Sequence, residues 1–203
     1  MSKVTEIYLT RHGQSTHNLR QTIAGQLDSE LTARGFEDAR VVAKSLERSD
    51  LDVIFTSDSR RARQTVETII DTLNLTCPVI STPLLRELNY GEFTNRPVVE
   101  TFQILDYKVI QDRRYPGGES FQDLEKRVAQ FIELLRTEAL GKRVLVTAHA
   151  GSIRMLVMLF DPANRQSYLG QPFSNRYLGR VILNPEGKLL SYTTINNPKA
   201  DLI

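Results

Sequence analysis

The 203-residue chain has one cysteine, Cys77, and three histidines, His12, His17 and His149. A single thiol cannot close an internal disulfide, and it offers no cysteine cluster for a metal, so the chain suits a reducing compartment. No apolar run approaches the roughly 20 residues that span a bilayer, and Met1 to Glu6 lead straight into an apolar strand without a signal-peptide pattern. The expected location is therefore the cytoplasm, with no membrane partner. Charge of one sign is also scarce: the formal net charge is +2, too small for a chain whose main task is coating nucleic acid. Repeats and low-complexity segments are missing as well. What remains is 40% hydrophobic and 25% charged, the balance of an ordinary globular domain, and one domain over 1–203 accommodates it.

Apolar periodicity divides the chain. Val4 to Thr10, Leu51 to Thr56, Val79-Ile80 and Arg143 to Thr147 read as strands. Between them lie helical patterns: one capped by Thr32, one over Arg61 to Leu75, one over Val98 to Ile110, a long one starting at Glu119 or Ser120, and a buried one over Ser152 to Leu159. Two further strands around Val181 and Tyr192 flank the hairpin signal Asn184-Pro185-Glu186-Gly187. Strands alternating with helices predict an α/β fold, a three-layer α/β/α sandwich with a mostly parallel central sheet. The irregular stretch at about 93–121, ending in Pro116-Gly117-Gly118, reads as a small lid insertion.

Ligands of such sheets bind beyond the carboxyl ends of the strands. Three places qualify: Arg11-His12-Gly13, Ser57 to Arg61, and His149-Ala150-Gly151. Arg supplies a permanent forked cation, His a nitrogen nucleophile or base near neutral pH, and Gly a tight turn with close ligand approach. Arg60, Arg61 and Arg63 occupy the first turn of a helix, where the macrodipole disfavours cations; they form either a solvated basic face or an anion site. His149 is either a hydrogen-bonded core residue or a ligand-facing one. His17, five residues after His12, does not share a helical face with it, which argues against a two-histidine metal pair and leaves packing or the pocket mouth. Glu119 and Ser120 read as caps of the long helix in preference to substrate contacts. Glu87, by residue type alone, is equally an exposed loop carboxylate.

In order along the chain stand Arg11-His12-Gly13-Gln14-Ser15 with Asn18; Gly25, Leu31-Thr32 and Gly35; Ser57-Asp58 with Arg61-Ala62 and Gln64-Thr65; Leu85-Arg86-Glu87-Leu88 with Tyr90-Gly91-Glu92-Phe93; Pro116-Gly117-Gly118-Glu119-Ser120; and His149 with Gly151 and Ile153-Arg154. This series resembles the histidine phosphatase superfamily, also called the phosphoglycerate mutase-like family, over about residues 4–160. The resemblance implies His12 as the nucleophile forming a phosphohistidine, with Arg11, Arg61 and His149 holding the phosphoryl oxygens. It further implies Asn18 as a neutral donor and Glu87 as general acid and then base, while Gly13 is expected in the binding turn from its residue type. It implies no metal and no cofactor, since arginines supply the charge, and a small phosphate ester as the partner.

Several departures bear on the reaction. Phe93 is followed by Thr94-Asn95-Arg96-Pro97 and the insertion is short, which favours a water-accessible pocket and hydrolysis over phosphoglycerate mutase activity. Arg113 and Arg114 pull the other way, as a pair that could bind a second phosphate or a carboxylate, against a solvated basic loop. Asn89 and Ala150 replace a frequent Asp and a frequent Gly. The expectation is a metal-independent phosphomonoesterase, with a mutase second and a non-catalytic phosphate-binding module third. The edge offered by the C-terminal strands leaves a homodimer open.

Overall fold

The computed structural model describes residues 3–46, 50–104 and 114–199. Six strands form one sheet in the order β3-β2-β4-β1-β5-β6: β1 Thr5–Arg11, β2 Val53–Ser57, β3 Val79–Thr82, β4 Arg143–Ala148, β5 Leu178–Leu183 and β6 Leu189–Asn196. β3, β2, β4 and β1 pair in parallel, and β5 and β6 close the far edge antiparallel. The helices are α1 Thr16–Leu19, α2 Ala33–Ser45, α3 Arg60–Leu73, α4 Val98–Ile104, α5 Phe121–Ala139, α6 Ala150–Phe160 and α7 Arg165–Tyr168.

The period-two alternation of the central strands builds the layers. Ile7, Leu9, Val53, Phe55, Val144 and Val146 point to the face covered by Leu124, Val128, Phe131 and Leu135 of α5 and by Ile153, Leu156 and Val157 of α6. Their neighbours Ile54 and Leu145 point to the other face, against Ala39, Val42 and Ala43 of α2 and Val66 and Ile69 of α3. Both faces being covered, β2 is buried throughout and β4 after its first residue, which is why they read as continuous apolar runs.

The structure refines several boundaries. α2 is capped as expected, with Thr32 Oγ1 accepting the Gly35 N–H at 3.1 Å. α5 begins after Ser120, whose side chain forms a capping box with Asp123. α6 starts at Ala150, two residues earlier than the apolar pattern indicates, so that His149 itself is the N-cap residue. The helix over Val98 to Ile110 is described as far as Ile104; its remainder, with Arg113, lies outside the described residues. Among the described residues no helix is long and apolar enough to cross a membrane.

Candidate active site

β1, β2 and β4 run parallel and side by side, so their carboxyl ends deliver His12, the Ser57–Arg61 turn and His149 to one place. β1 and β4 are the junction at which the winding reverses, the position where open α/β sheets bind ligands. A cleft of about 310 Å³ opens there, lined at its base by Arg11, His12, Asn18, Arg61, Glu87 and Gly151.

Arg61 organises the base. Its guanidinium is 1% exposed, and its fork is spread over four acceptors. Nη1 donates to Leu27 O at 2.9 Å and Nη2 to Gly25 O at 2.7 Å. Nη2 also reaches His149 Nδ1 at 3.1 Å, and Nε donates to His12 Nε2 at 3.2 Å. Burial lowers its pKa to about 10, with Glu87 opposing that shift, so it stays cationic at neutral pH. Arg60 and Arg63 turn outward instead, to Glu30 and to the Asp58 carbonyl, as a solvated basic face.

These bonds fix both histidine tautomers. The ring of His12 meets Gly13 O through Nδ1 at 2.7 Å; a carbonyl can only accept, so the proton is on Nδ1. Arg61 Nε can only donate, so Nε2 of His12 carries a lone pair. By the same logic His149 accepts at Nδ1 and donates from Nε2 to Ser57 Oγ, 2.9 Å away. Both rings are buried, and both pKa values lie well below the ordinary imidazole value, first through desolvation and then through the Arg61 charge. Their centroids are 5.0 Å apart.

Arg11 ends β1. Its Nη1 donates to Phe173 O at 2.6 Å, while Nε is buried without a protein partner. A buried donor of that kind costs free energy until an acceptor arrives, and in an anion site the acceptor is a ligand oxygen. Glu87 stands opposite, its Oε1 accepting the Leu88 N–H at 2.8 Å and its Oε2 the Gly151 N–H at 3.1 Å. A Cβ on Gly151 would meet Glu87 Oε1, so the bare glycine lets the carboxylate lie against this N–H. Asn18 lines the cleft with its Oδ1 committed to Ser15 N–H at 3.1 Å and Asn175 Nδ2 at 3.3 Å.

Two expected binding residues are placed elsewhere. The Gly13 N–H donates to Thr65 Oγ1 at 3.1 Å, and its missing side chain makes room for the Gly35 carbonyl, so this glycine serves a close backbone crossing. Arg114 pairs with Asp123 at 2.7 Å and with Gly118 O at 3.0 Å, outside the cleft lining. Of the expected arginine pair, Arg113 lies outside the described residues. His17 bridges Ser29 Oγ and Asn95 Oδ1 at 3.1 and 2.8 Å, a packing role.

Asn175 carries no local signal in the sequence, and Arg154 stands there only within the Ile153-Arg154 motif. Asn175, 4% exposed, donates to the His12 carbonyl at 2.9 Å. Arg154 lines the cleft over the Phe173 ring, donating to Tyr168 O and Gln171 O at 3.2 and 2.9 Å. The rest of the wall mixes apolar Ile23, Val98, Leu169 and Phe173 with polar Gln21, Thr22 and Gln171. Among the described residues no group of three His, Cys, Asp or Glu is placed to hold a metal ion.

A parallel-sheet α/β domain with two neutral imidazoles and two guanidiniums at its switch point defines a class: a fold presenting a nitrogen lone pair inside an anion cradle. The chain belongs to the histidine phosphatase superfamily (branch 1), whose family model matches residues 7–197. It is 36% identical over 166 residues to a 2,3-bisphosphoglycerate-dependent phosphoglycerate mutase of Methylobacterium radiotolerans, covering 76% of this chain and 78% of that one. It is 28% identical over 192 residues to a Hydrogenobacter thermophilus protein provisionally named phosphoserine phosphatase 2, covering 92% and 93%. In fold it resembles the α-ribazole phosphatase from Shigella flexneri, with a TM-score of 0.77, 22% identity and 98% of each chain covered. Relatives of this chain thus include mutases and phosphatases, and the chain is an enzyme of this superfamily.

Proposed function

We propose that the protein is a metal-independent phosphomonoesterase that hydrolyses a small phosphorylated metabolite through a phosphohistidine on His12. The observation that carries this reading is the imidazole of His12: Nδ1–H is anchored on Gly13 O and the Nε2 lone pair sits against Arg61. Nε2 attacks phosphorus while the ester P–O bond breaks, and the leaving oxygen takes a proton from Glu87. Water then loses its proton to the Glu87 carboxylate and attacks phosphorus; the P–N bond breaks and its electron pair returns to Nε2. Arg11 Nε holds an equatorial oxygen, and Arg61 Nε–H, released from His12 as the Nε2 lone pair turns to phosphorus, donates to another, where charge stabilisation governs phosphoryl transfer. Arginines supplying that charge make a metal unnecessary.

The mutase reading draws on the relative that is 36% identical. A mutase must retain a second charged group while the acceptor hydroxyl reorients. Besides Arg11, His12, Arg61 and Glu87 the described lining offers one charged group, Arg154, among uncharged side chains both polar, as Gln21, Thr22 and Gln171, and apolar, as Ile23, Val98 and Phe173. A single further cation suits release of an alcohol better than capture of a bisphosphate.

The test is EDTA-dialysed protein with an aryl phosphate, combined with rapid acid-free quenching. Hydrolysis with an acid-labile, alkali-stable phosphoryl adduct on His12, both lost in His12→Ala, is the expected result. Phosphate migration between phosphoglycerates, primed by the bisphosphate and far faster than phosphate release, would replace hydrolysis by mutase activity. Tight phosphate-ester binding without turnover would make the protein a binding module.

A further inference from the structure

The loop that carries Glu87 is fastened from behind by an ion pair that lies outside the cleft lining. Arg127 of α5 donates Nη1 to Leu84 O at 2.9 Å and Arg86 O at 2.8 Å, and Nη2 to Glu87 O at 3.3 Å. The same guanidinium meets both oxygens of Glu119, from Nε at 3.0 Å and from Nη2 at 2.9 Å. Glu119 Oε2 in turn accepts the Asn89 N–H at 2.9 Å and Gln26 Nε2 at 3.4 Å. Gln26 Nε2 also donates to Glu87 O at 3.0 Å. The carbonyls at 84, 86 and 87 and the amide at 89 are thereby tied to two charged side chains.

Glu119 reaches this position through the Pro116-Gly117-Gly118 turn. Its own N–H donates to Asn89 O at 2.9 Å, and a Cβ on Gly118 would collide with that carbonyl. A Cβ on Gly91 would likewise strike Pro116 O. Glycine at both places lets the two loops touch backbone to backbone. The pair is only 16% and 19% exposed, so its geometry is sheltered from competing water. An arginine spread over three carbonyls and a carboxylate is a geometric device, one that a point charge such as lysine cannot reproduce.

We propose that the Arg127–Glu119 pair is the positioning element for Glu87, holding loop 84–89 so that the Glu87 carboxyl stands at the leaving oxygen. This rests on the proposed role of Glu87 as general acid. Neither side chain lines the cleft; the Arg127 charge also reaches His149, but that effect falls on both esters alike, so it is an alkyl-selective loss that reports the loop.

The test compares an alkyl phosphate, whose leaving oxygen needs a proton, with p-nitrophenyl phosphate, whose leaving oxygen needs little help. In Arg127→Ala and Glu119→Gln, kcat/KM for the alkyl ester, which reads the transfer to His12 and not the shared hydrolysis of the phosphohistidine, should fall about tenfold or more, and for the aryl ester by less than about threefold. Inhibition by inorganic phosphate should stay within about twofold, because the cradle formed by Arg11 and Arg61 is untouched. In a Glu87→Gln background, Arg127→Ala should add no further alkyl-selective loss. If Arg127→Ala fails to fold, Arg127→Lys and Glu119→Gln read the same ratio. A Glu87→Gln loss that is alkyl-selective beside an Arg127 or Glu119 loss that is not would overturn the clamp alone. Equal slowing of both esters by Glu87→Gln itself would overturn the acid assignment, and the clamp's purpose with it.

Discussion

Arg61 and His12 are joined by a 3.2 Å hydrogen bond from the guanidinium Nε to the imidazole Nε2, and that bond sets the protonation state the fold accepts. A guanidinium cannot donate to an imidazolium, so the arrangement requires neutral His12. Desolvation and the Arg61 charge press in the same direction, which keeps a nucleophile available where a solvated histidine would begin to protonate.

The pH profile of kcat/KM is the first consequence. The acid limb set by His12 should fall below the ordinary imidazole pKa of about 6.5, so that activity persists at pH 6. Removing the neighbouring charge in Arg61→Gln lowers the rate and moves that limb upward toward 6.5. An acid limb at or above 6.5 in the unaltered protein, on a substrate that does not itself titrate there, would contradict the depressed pKa.

The same shifts link to stability. His12 and His149 have folded-state pKa values below their unfolded values, so the unfolded chain binds more protons as pH drops below about 6.5. Their contribution is complete above that pH and is lost as pH falls toward the folded-state values. With both rings buried, the slope approaches about 1.4 kcal/mol per pH unit for each histidine. Urea unfolding at pH 7 and pH 5 should show it, and His12→Asn/His149→Asn should flatten it; an equal slope in that variant would assign the acid sensitivity to other groups.

Arg61→Lys tests whether charge alone suffices. Lysine keeps the cation but cannot span Gly25 O, Leu27 O and both imidazoles. kcat/KM for an aryl phosphate should drop by about 100-fold or more, the scale of losing a preorganised donor at an oxyanion. Retention of activity within a few fold would show that the cradle needs only a point charge.

The strand-end triplets His12, Arg61 and His149 were legible because a parallel sheet sends its carboxyl ends to one edge, and the apolar runs of β1, β2 and β4 are unambiguous. Glu87 was legible only through motif order, since a carboxylate in a loop has no periodicity to locate it. Arg154 and Glu119 are legible as motif members but not in what they touch, and Asn175 and Arg127 are not legible at all. Asn175 meets His12 across 163 residues of sequence, and Arg127 meets Glu87 across 40, so no local pattern reports either contact. Both Glu119 and Ser120 suit a helix cap by position; Ser120 is the cap, and Glu119 faces backward to Arg127. Gly13 shows a second limit: a glycine beside a nucleophile suggests approach to a ligand, whereas its partner is the backbone of Gly35.

Gly151→Ala should behave as a leaving-group probe. The added methyl meets the Glu87 carboxylate, which must move away from the Gly151 N–H. The expected outcome is a loss on alkyl phosphates about tenfold greater than on p-nitrophenyl phosphate, with phosphate inhibition preserved. Equal loss on both esters would mean that the methyl disturbs His149 or the cradle.

Asp38 offers a stability prediction away from the reacting groups. It is fully buried, accepting the Gln14 N–H at Oδ2 at 3.1 Å and Arg176 Nε at Oδ1 at 2.7 Å. It thus ties the turn after His12 to the segment bearing Asn175. In Asp38→Asn one of those two donors must face an amide NH₂, so a buried N–H opposes another N–H and loses its partner. The cost should be about 2 kcal/mol, the scale of a hydrogen bond to a charged group with its partner left behind, moderated because Arg176 can still reach water. Urea unfolding should show a lower midpoint with an unchanged m-value, and kcat should fall as the His12 turn loosens. An unchanged midpoint would show that Asp38 is replaceable by any isosteric polar group.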